Sequence, residues 1–556
     1  MKKLFLITLT LLLTSCTQTT EIVSTYTPTP ESTQPSTETL TPSPTPSPTA
    51  TLTPTPQPRL QTQDYGIELE DFPKNVNPLT ALEVSDPALL DLPAVLISIS
   101  NIPNTARPQA GVGSASWIFE YYIGEASTRF LGVFYGEYPR RVANVTGDCP
   151  VNEKVHQNTE ARIGNRVWFD ENENGIQDDW ELGVGGVCVY LYQSGIYERY
   201  WVTSTDSNGY YAFDKENSGL SEEDEYELRF ELPEKYTFTT SNIGNDDQDS
   251  DFDGSTWTTP AFKFSATDSS WDVGLVLQKT PVSTPSPVVT GTPLGWYLPE
   301  EAYVGPIRSG RLTYDHINKM FHNSCLIFAS AAADILAQLD PCWLIYGVDQ
   351  STPNSGLLTV AKMRELAEAQ AVNGSMPNYS GNYFSETLPN LQRDPATYLR
   401  VYYHQYLQSA WAYDPISKSY LRYTDSMDGT GILHPATDRL TGRQQSFENV
   451  IVLQATHDVY RHNQLDINLR AGQGGFAWLL RDGEVMRVRW STGNRAWEKT
   501  SGLRRPIHFV DVDGNPIALR PGHTWIHLMT PASYLEETGA GEWQATFVQP
   551  NDPPND

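Results

Sequence analysis

The chain reads as a mixed α/β body accompanied by an all-β sandwich. Three observations predict this. Apolar runs of strand type, such as Ala94-Val95-Leu96-Ile97, occur alongside segments with helical apolar spacing, such as Val360 to Ala371. From about residue 140 to residue 278 the helical period gives way to short alternating strands punctuated by turn residues. Tracts of Thr, Pro and Ser separate these regions. A length of 556 residues suggests three or four units. The 38 basic and 67 acidic side chains leave a net charge of −29, which argues against a nucleic-acid partner. Aromatic residues at 11% argue against global disorder, and five Cys are too few for a disulfide-built miniprotein.

Met1-Lys2-Lys3 is a short positive start, and Leu4 to Leu13 is an apolar run too short to span a bilayer as a mature helix. Leu13-Thr14-Ser15-Cys16 resembles the lipobox of bacterial lipoproteins. The resemblance implies cleavage before Cys16 and a diacylglycerol on its thiol; the alternative is an ordinary secretory signal with a chance Cys. No other stretch reaches 18 apolar residues. Residues 1–16 are therefore expected to be a lipoprotein signal peptide, with the rest lipid-anchored at the extracytoplasmic face of the cell membrane. Residues 17–63 carry few apolar side chains and much Pro, the composition of a disordered stalk biased to polyproline II. Fully stretched at about 3.1 Å per residue, it would reach roughly 140 Å.

Folded-type sequence begins near Asp64. Pro93 to Ile99, Trp117 to Ile123 and Arg129 to Tyr135 read as strands, with a turn at Gly124. Asn77-Pro78-Leu79-Thr80, Ser85-Asp86-Pro87-Ala88-Leu89, Ala106-Arg107-Pro108-Gln109-Ala110-Gly111, Glu120-Tyr121 and Thr128-Arg129-Phe130-Leu131 resemble the YerB-like bacterial lipoproteins, a family of unknown function. In that family a Gly-Pro-Val-Arg-Ser-Ala-Arg segment follows shortly. Its counterpart here, Gly305-Pro306-Ile307-Arg308-Ser309-Gly310-Arg311, comes about 170 residues after Tyr135, so an insertion is expected.

The insertion has its own signature. Arg162-Ile163-Gly164-Asn165-Arg166-Val167-Trp168-Phe169-Asp170, the strand at Gly183 to Tyr192, Thr205 to Phe213, Tyr226 to Phe230 and Trp271 to Leu277 resemble an SdrD B-like repeat, the Cna-B-type module of bacterial surface proteins. That implies an Ig-like β-sandwich over 140–278, with a Pro/Thr-rich linker over 279–298. The YerB-like N-terminal domain would then comprise 64–139 and 299–388, with helices at Thr313 to Phe321, Ala329 to Leu339 and Val360 to Ala371. Residues 389–535 resemble the family's C-terminal domain, through Phe447 to Leu453, Gly475 to Leu480 and Gly522 to Leu528. The resemblance implies layered sheets with helices packed on them. The polar residues 536–556 read as a flexible tail.

The strongest chemical motif is Asp170 to Glu181, which fits a twelve-residue calcium loop. Side-chain oxygens fall at Asp170, Asn172, Asn174, Asp178 and Glu181; Gly175 permits the sharp turn and Ile176 can lend its carbonyl. A second cluster places Asp249, Asp251 and Asp253 on one side of an extended segment, where like charges repel unless a cation joins them. The alternative for both is a solvated acidic turn. Residues 161–278 hold 24 acidic against 7 basic side chains, so more than half of the net charge lies in this module and its stability is expected to depend on calcium. Cys149 with Cys188, and Cys325 with Cys342, could form disulfides; buried free thiols are the alternative.

The motif segments of the host carry Arg107, Gln109, Glu120, Arg129, Arg308, Ser309 and Arg311. The arginine forks suit a carboxylate or phosphate, so a cleft that gathered them would bind an anionic ligand. They could equally form a structural network tying strands together. His-Glu-x-x-His, G-x-S-x-G and P-loop patterns are absent from the sequence, and His523 and His527 read as structural. The expectation is a cell-envelope binding or scaffold protein without catalysis, held to the membrane by lipid and meeting a cell-wall or surface protein partner. The alternatives are an enzyme acting on an anionic wall polymer or peptide, with Glu120 as acid or base, and a surface adhesin.

Overall fold

The computed structural model describes residues 64–140, 162–277, 302–345 and 356–550, short interruptions excepted. The signal peptide, the stalk, Cys16, Cys149 and the 279–298 linker lie outside the described residues.

The host is built on one 13-stranded sheet. Its centre comes from the first half of the chain: Val95–Ser100 pairs antiparallel with Ser127–Phe134, which pairs antiparallel with Trp117–Gly124. Every side chain of Val95–Ser100 and Ser127–Phe134 is buried, as expected of strands covered on both faces. Trp117–Gly124 then pairs in parallel with Thr524–Met529, which continues into Asn449–Gln454, Gly474–Arg481 and Glu484–Ser491. The two parts of the host therefore share one sheet rather than forming separate layers.

The expected mixed α/β layering is not found. The chain is mostly β, with 42% strand and 11% helix. Thr313–Met320 and Val360–Ala371 are helices, but the helical spacing over 329–339 yields only the single turn Ala333–Leu336, after the strand Cys325–Phe328. The strand Cys325–Phe328 pairs with Val95–Ser100, and the residues after it form no more helix than that one turn. Residues 389–550 contribute one α-helix among the described residues, Ala496–Ser501. The expected frayed tail is also corrected. Tyr534–Gly539 and Glu542–Thr546 form a hairpin whose second strand pairs in parallel with Tyr398–His404.

That hairpin belongs to a seven-stranded sheet, with Tyr398–His404, Leu407–Asp414 and Ser419–Asp425 at its centre. One face of the 13-stranded sheet packs on this second sheet, burying Phe130, Trp411, Tyr420, Phe447 and Trp525. The opposite face carries Leu131, Val133 and Phe119 beneath Tyr314, Ile317 and Phe321. Because side chains alternate along a strand, neighbouring residues of the central strands enter different cores.

The inserted module has its own core. A three-stranded sheet (Tyr236–Phe238, Val273–Leu277, Val167–Phe169) and a four-stranded sheet (Phe262–Lys263, Glu225–Glu231, Cys188–Gln193, Ile196–Ser204) enclose Val189, Leu191, Tyr211, Phe230, Phe252 and Leu275. The module docks on the host through residues 171–183. Arg140 pairs with Glu171 at 2.5 Å and lies over the Trp180 ring at 5.2 Å. The Glu83 amide donates to Asp179 Oδ2 at 3.3 Å, and the buried Arg443 guanidinium donates to the Gly183 carbonyl.

Phe130 is fully buried and meets the Trp525 ring edge-on at 4.9 Å, where the two parts of the host join. Phe130→Ala is expected to cost about 3–5 kcal/mol in denaturant unfolding. Since both parts share the sheet, the host should retain one cooperative transition rather than splitting into two.

Candidate functional site

The seven host residues singled out from the sequence fall into two groups, on opposite faces of the 13-stranded sheet. Glu120 and Phe130 are cross-strand partners, as are Tyr121 and Arg129. Glu120 thus enters the core beneath the seven-stranded sheet, and Arg129 the opposite face.

The first group is an interior network. Glu120 is 1% exposed; Oε1 accepts from Thr128 at 2.9 Å and Oε2 from the Trp525 indole at 3.1 Å. His527, its cross-strand neighbour, accepts at Nε2 from the Trp411 indole at 2.9 Å. The proton of the neutral ring therefore sits on Nδ1, which stands 3.4 Å from Glu120 Oε2 and 3.3 Å from the Tyr403 hydroxyl. Burial, reinforced by Arg422, holds His527 well below the usual histidine range, so the ring is neutral at pH 7. Burial also pushes the Glu120 carboxyl up, against the pull of Arg422, Thr128 and Arg107. Arg422 lies over Trp525 at 4.6 Å and Phe130 at 5.1 Å. Arg107 donates to Asn101 and pairs with Asp425 at 3.2 Å, while Gln109 donates to the Ser100 carbonyl and to Asn101. Asn101 donates to Thr128 at 2.8 Å, which links Arg107 and Gln109 to Glu120.

The second group lies on the opposite face, at a cleft that opens to solvent. Arg129, Arg308 and Ser309 line an open cleft of about 480 Å³, with Ser127, Glu125, Ile102, Pro103, Tyr406 and Met427 completing its walls. Arg129 is 4% exposed, donates from Nη1 to Ser100 at 2.9 Å, and has no hydrogen-bond partner at Nε. Burial and then the nearby Arg311 and Arg308 guanidinium groups bring Arg129 down to about 10, so it stays charged at neutral pH. Arg311 donates to Ser309 Oγ at 2.8 Å and to the Gly310 carbonyl at 2.9 Å. Glu120 is not in the cleft wall. The sequence reading missed Trp411, Arg422, Asp425 and Tyr403 in the interior, and Tyr406 in the cleft. The alternation Trp525-x-His527, which puts both rings on one strand face, was the available signal for the interior network.

In the module, Asp170 to Glu181 closes on itself. Asp170 is buried and accepts from the amides of Asn174 (3.1 Å) and Gly175 (2.8 Å) and from Thr239 (2.5 Å). Gly175 turns the chain at φ +78°, where a Cβ would meet the Thr240 carbonyl at 2.6 Å. Asn172 and Asn174 both reach Asp178 Oδ2, the Ile176 amide donates to Asn174 Oδ1, and the buried Glu181 accepts from the Glu171 and Asp178 amides. The second acidic segment lies alongside, with Asp249 bridged to Ile176. Buried Asp249 Oδ1 and Gln177 Oε1 have no hydrogen-bond partner. Asp251 Oδ2 accepts from the Asp272 amide, whereas Asp253 is exposed and accepts from Ser255, away from any shared centre. Among the described residues, no three carboxylate, imidazole or thiolate side chains stand together at metal-holding distance. A cation here would have to draw on amide and carbonyl oxygens as well. The all-oxygen donor set, with its two orphaned buried acceptors, fits a hard cation.

Cys325 and Cys342 form a disulfide with Cα atoms 5.3 Å apart; Cys188 is disulfide-bonded as well.

The architecture is that of a β-rich host whose two parts share a sheet and into which a separate β-module has been spliced. The family models match accordingly: the protein of unknown function (DUF3048) N-terminal domain at 79–178, its C-terminal domain at 399–526, and the SdrD B-like domain at 161–275. The chain thus carries the N- and C-terminal DUF3048 domains with an SdrD B-like domain inserted between them. It is similar to the crystal structure of YerB from Bacillus subtilis, with a TM-score of 0.41 and 14% identity, covering 82% of this chain and 96% of that one. The module is 38% identical over 115 residues to serine-aspartate repeat-containing protein F of Staphylococcus epidermidis, covering 20% of this chain and 6% of that protein. It is 38% identical over 109 residues to a fibrinogen-binding protein of Staphylococcus epidermidis, covering 19% of this chain and 9% of that one. Serine-aspartate repeat-containing protein C of Staphylococcus aureus (strain Newman) is 42% identical over 89 residues, covering 16% of this chain and 9% of that one. The chain thus spans under a tenth of these relatives' length.

Burial, then the charges of Asp170 and Asp178, push the Glu181 carboxyl up to about 7. A carboxyl raised above its unfolded value contributes stability that is complete below about pH 4.5 and lost as pH rises through 7. In chelator, wild type minus Glu181→Gln stability should therefore fall from pH 4.5 to pH 7.5. Thermal melts across that range check the slope, and a flat difference contradicts the assignment.

Proposed function

We propose that the protein is a lipid-anchored, extracytoplasmic envelope protein that binds or scaffolds without catalysis, and that its SdrD B-like domain is a calcium-stiffened surface module. The observation that carries the reading is the separation of charge within the host. The carboxyl best suited to acid–base work, Glu120, is locked into an interior network, while the open cleft offers arginines. A cleft lined by arginines, whose carboxylate Glu125 stands exposed to solvent, suits recognition rather than turnover. The likeness to surface-repeat proteins supports presentation outside the cell, and Cys16 supplies the anchor. Asp170, Asn172, Asn174, Asp178 and Glu181, with the Ile176 carbonyl, are the proposed ligands of one calcium ion, and Asp249 and Asp251 contribute to a neighbouring site. Asp253 is the weakest member of that set. Calcium there offsets like charge and holds the loop closed. The partner is a cell-wall or surface component.

Two measurements test this. Fractionation of cells expressing the full chain should find the protein in membranes, and Cys16→Ser should release it; a soluble wild type removes the anchor from the proposal. Native mass spectrometry of the purified protein should show calcium lost to EDTA, with a melting temperature lowered by several degrees, since a ligand at 100 times its Kd contributes about 2.7 kcal/mol. A protein that carries no calcium and melts identically in EDTA refutes the metal assignment.

A further inference from the structure

The cleft on the Arg129 face has a built chemistry that identifies its ligand. In a chain with a net charge of −29, its wall holds the Arg129 and Arg308 guanidinium groups, and Arg311 is tied to the wall through Ser309. Among the described residues, Glu125 is the carboxylate in the wall. A phosphate monoester presents three acceptor oxygens where a carboxylate presents two, and the guanidinium and hydroxyl donors gathered in this wall match the larger set. Arg129 is the anchor: it is nine-tenths buried, fixed at Nη1 by Ser100, and has an unpartnered Nε. Ser127 and Ser309 add hydroxyl groups to the same wall.

The other side of the cleft is apolar. Ile102, Pro103, Met427 and Tyr406 line it, and Tyr406 is 42% exposed. The Tyr406 ring rests against Gly429, where a Cβ would lie 2.6 Å from it, and lies tilted against the His404 ring at 5.6 Å. A half-exposed ring held in place beside an arginine cluster offers a flat surface to whatever carries the phosphate.

We propose that this cleft binds a phosphate monoester whose phosphate meets Arg129, Arg308 and Arg311 and whose apolar or planar body lies on Tyr406. The proposal rests on the reading of the host as a binding protein and is independent of the lipid anchor and of calcium.

The test is calorimetric titration of the detergent-solubilised full chain with phenyl phosphate, inorganic phosphate and benzoate. Phenyl phosphate should bind at least about tenfold more tightly than benzoate, the charge-assisted bidentate contacts accounting for the difference. Inorganic phosphate should bind more weakly than phenyl phosphate, and added salt should weaken both. Arg308→Gln/Arg311→Gln should reduce phenyl phosphate affinity at least tenfold with an unchanged melting temperature. If that variant fails to fold, Tyr406→Ala, on the rim, should weaken phenyl phosphate and leave inorganic phosphate unchanged. Absence of phenyl phosphate binding at millimolar concentration, or variants that bind as wild type does, overturns the site. Benzoate binding as tight as phenyl phosphate overturns the phosphate assignment. Release of phenol would leave the site standing and overturn the non-enzymatic reading instead.

Discussion

The pairing of Trp117–Gly124 with Thr524–Met529 holds the host together. These strands lie more than 400 residues apart in the chain, and their parallel register sets Glu120 beside His527. Neither group could be buried alone at acceptable cost. Together with Trp411, Trp525, Thr128 and Tyr403 they satisfy one another: a neutral ring donates where the carboxyl can accept, and the indoles cap the remaining atoms. Such a network specifies register, because a one-residue slip would send Glu120 to the opposite face. A sheet closed this way accommodates a spliced-in module between two of its strands without losing continuity.

The alternation that protects this interior also divides the arginines. Arg107 and Arg422 serve the buried side, where Asp425 and the aromatic rings of Phe130 and Trp525 receive them. Arg129, Arg308 and Arg311 serve the side open to solvent. Residues that look like one cluster in a list of motifs thus do two kinds of work. Arg129, one position away from Phe130, changes its role by changing its face.

Much of this architecture was legible in the residues. The insertion announced itself through the displacement of Gly305-Pro306-Ile307-Arg308 from its expected neighbours, and the module through its turn-punctuated strands and its Asp170 loop. The predominance of strand was not legible, since runs such as Ala329 to Leu339 carry helical apolar spacing and yet give only the turn Ala333–Leu336. The terminal hairpin was missed because its outer strand, Tyr534–Gly539, is polar and half exposed, an edge that local sequence does not distinguish from a loose end. The division of the arginines required register, which depends on partners hundreds of residues away.

The grip of the host on residues 171–183 has a mechanical meaning. Arg443 holds the Gly183 carbonyl from the host side, while Arg166 holds the Glu181 carbonyl from within the module at 2.8 Å. Between these two clamps runs the end of the acidic loop. A force on Gly183 passes both to the Glu181 end of the loop and to the strand Val167–Phe169, because Phe169 donates to the Leu182 carbonyl and Val184 to the Val167 carbonyl. The joint is thus a tension-bearing hasp, in which the residues that carry load between the two bodies are also the ones that close the acidic turn.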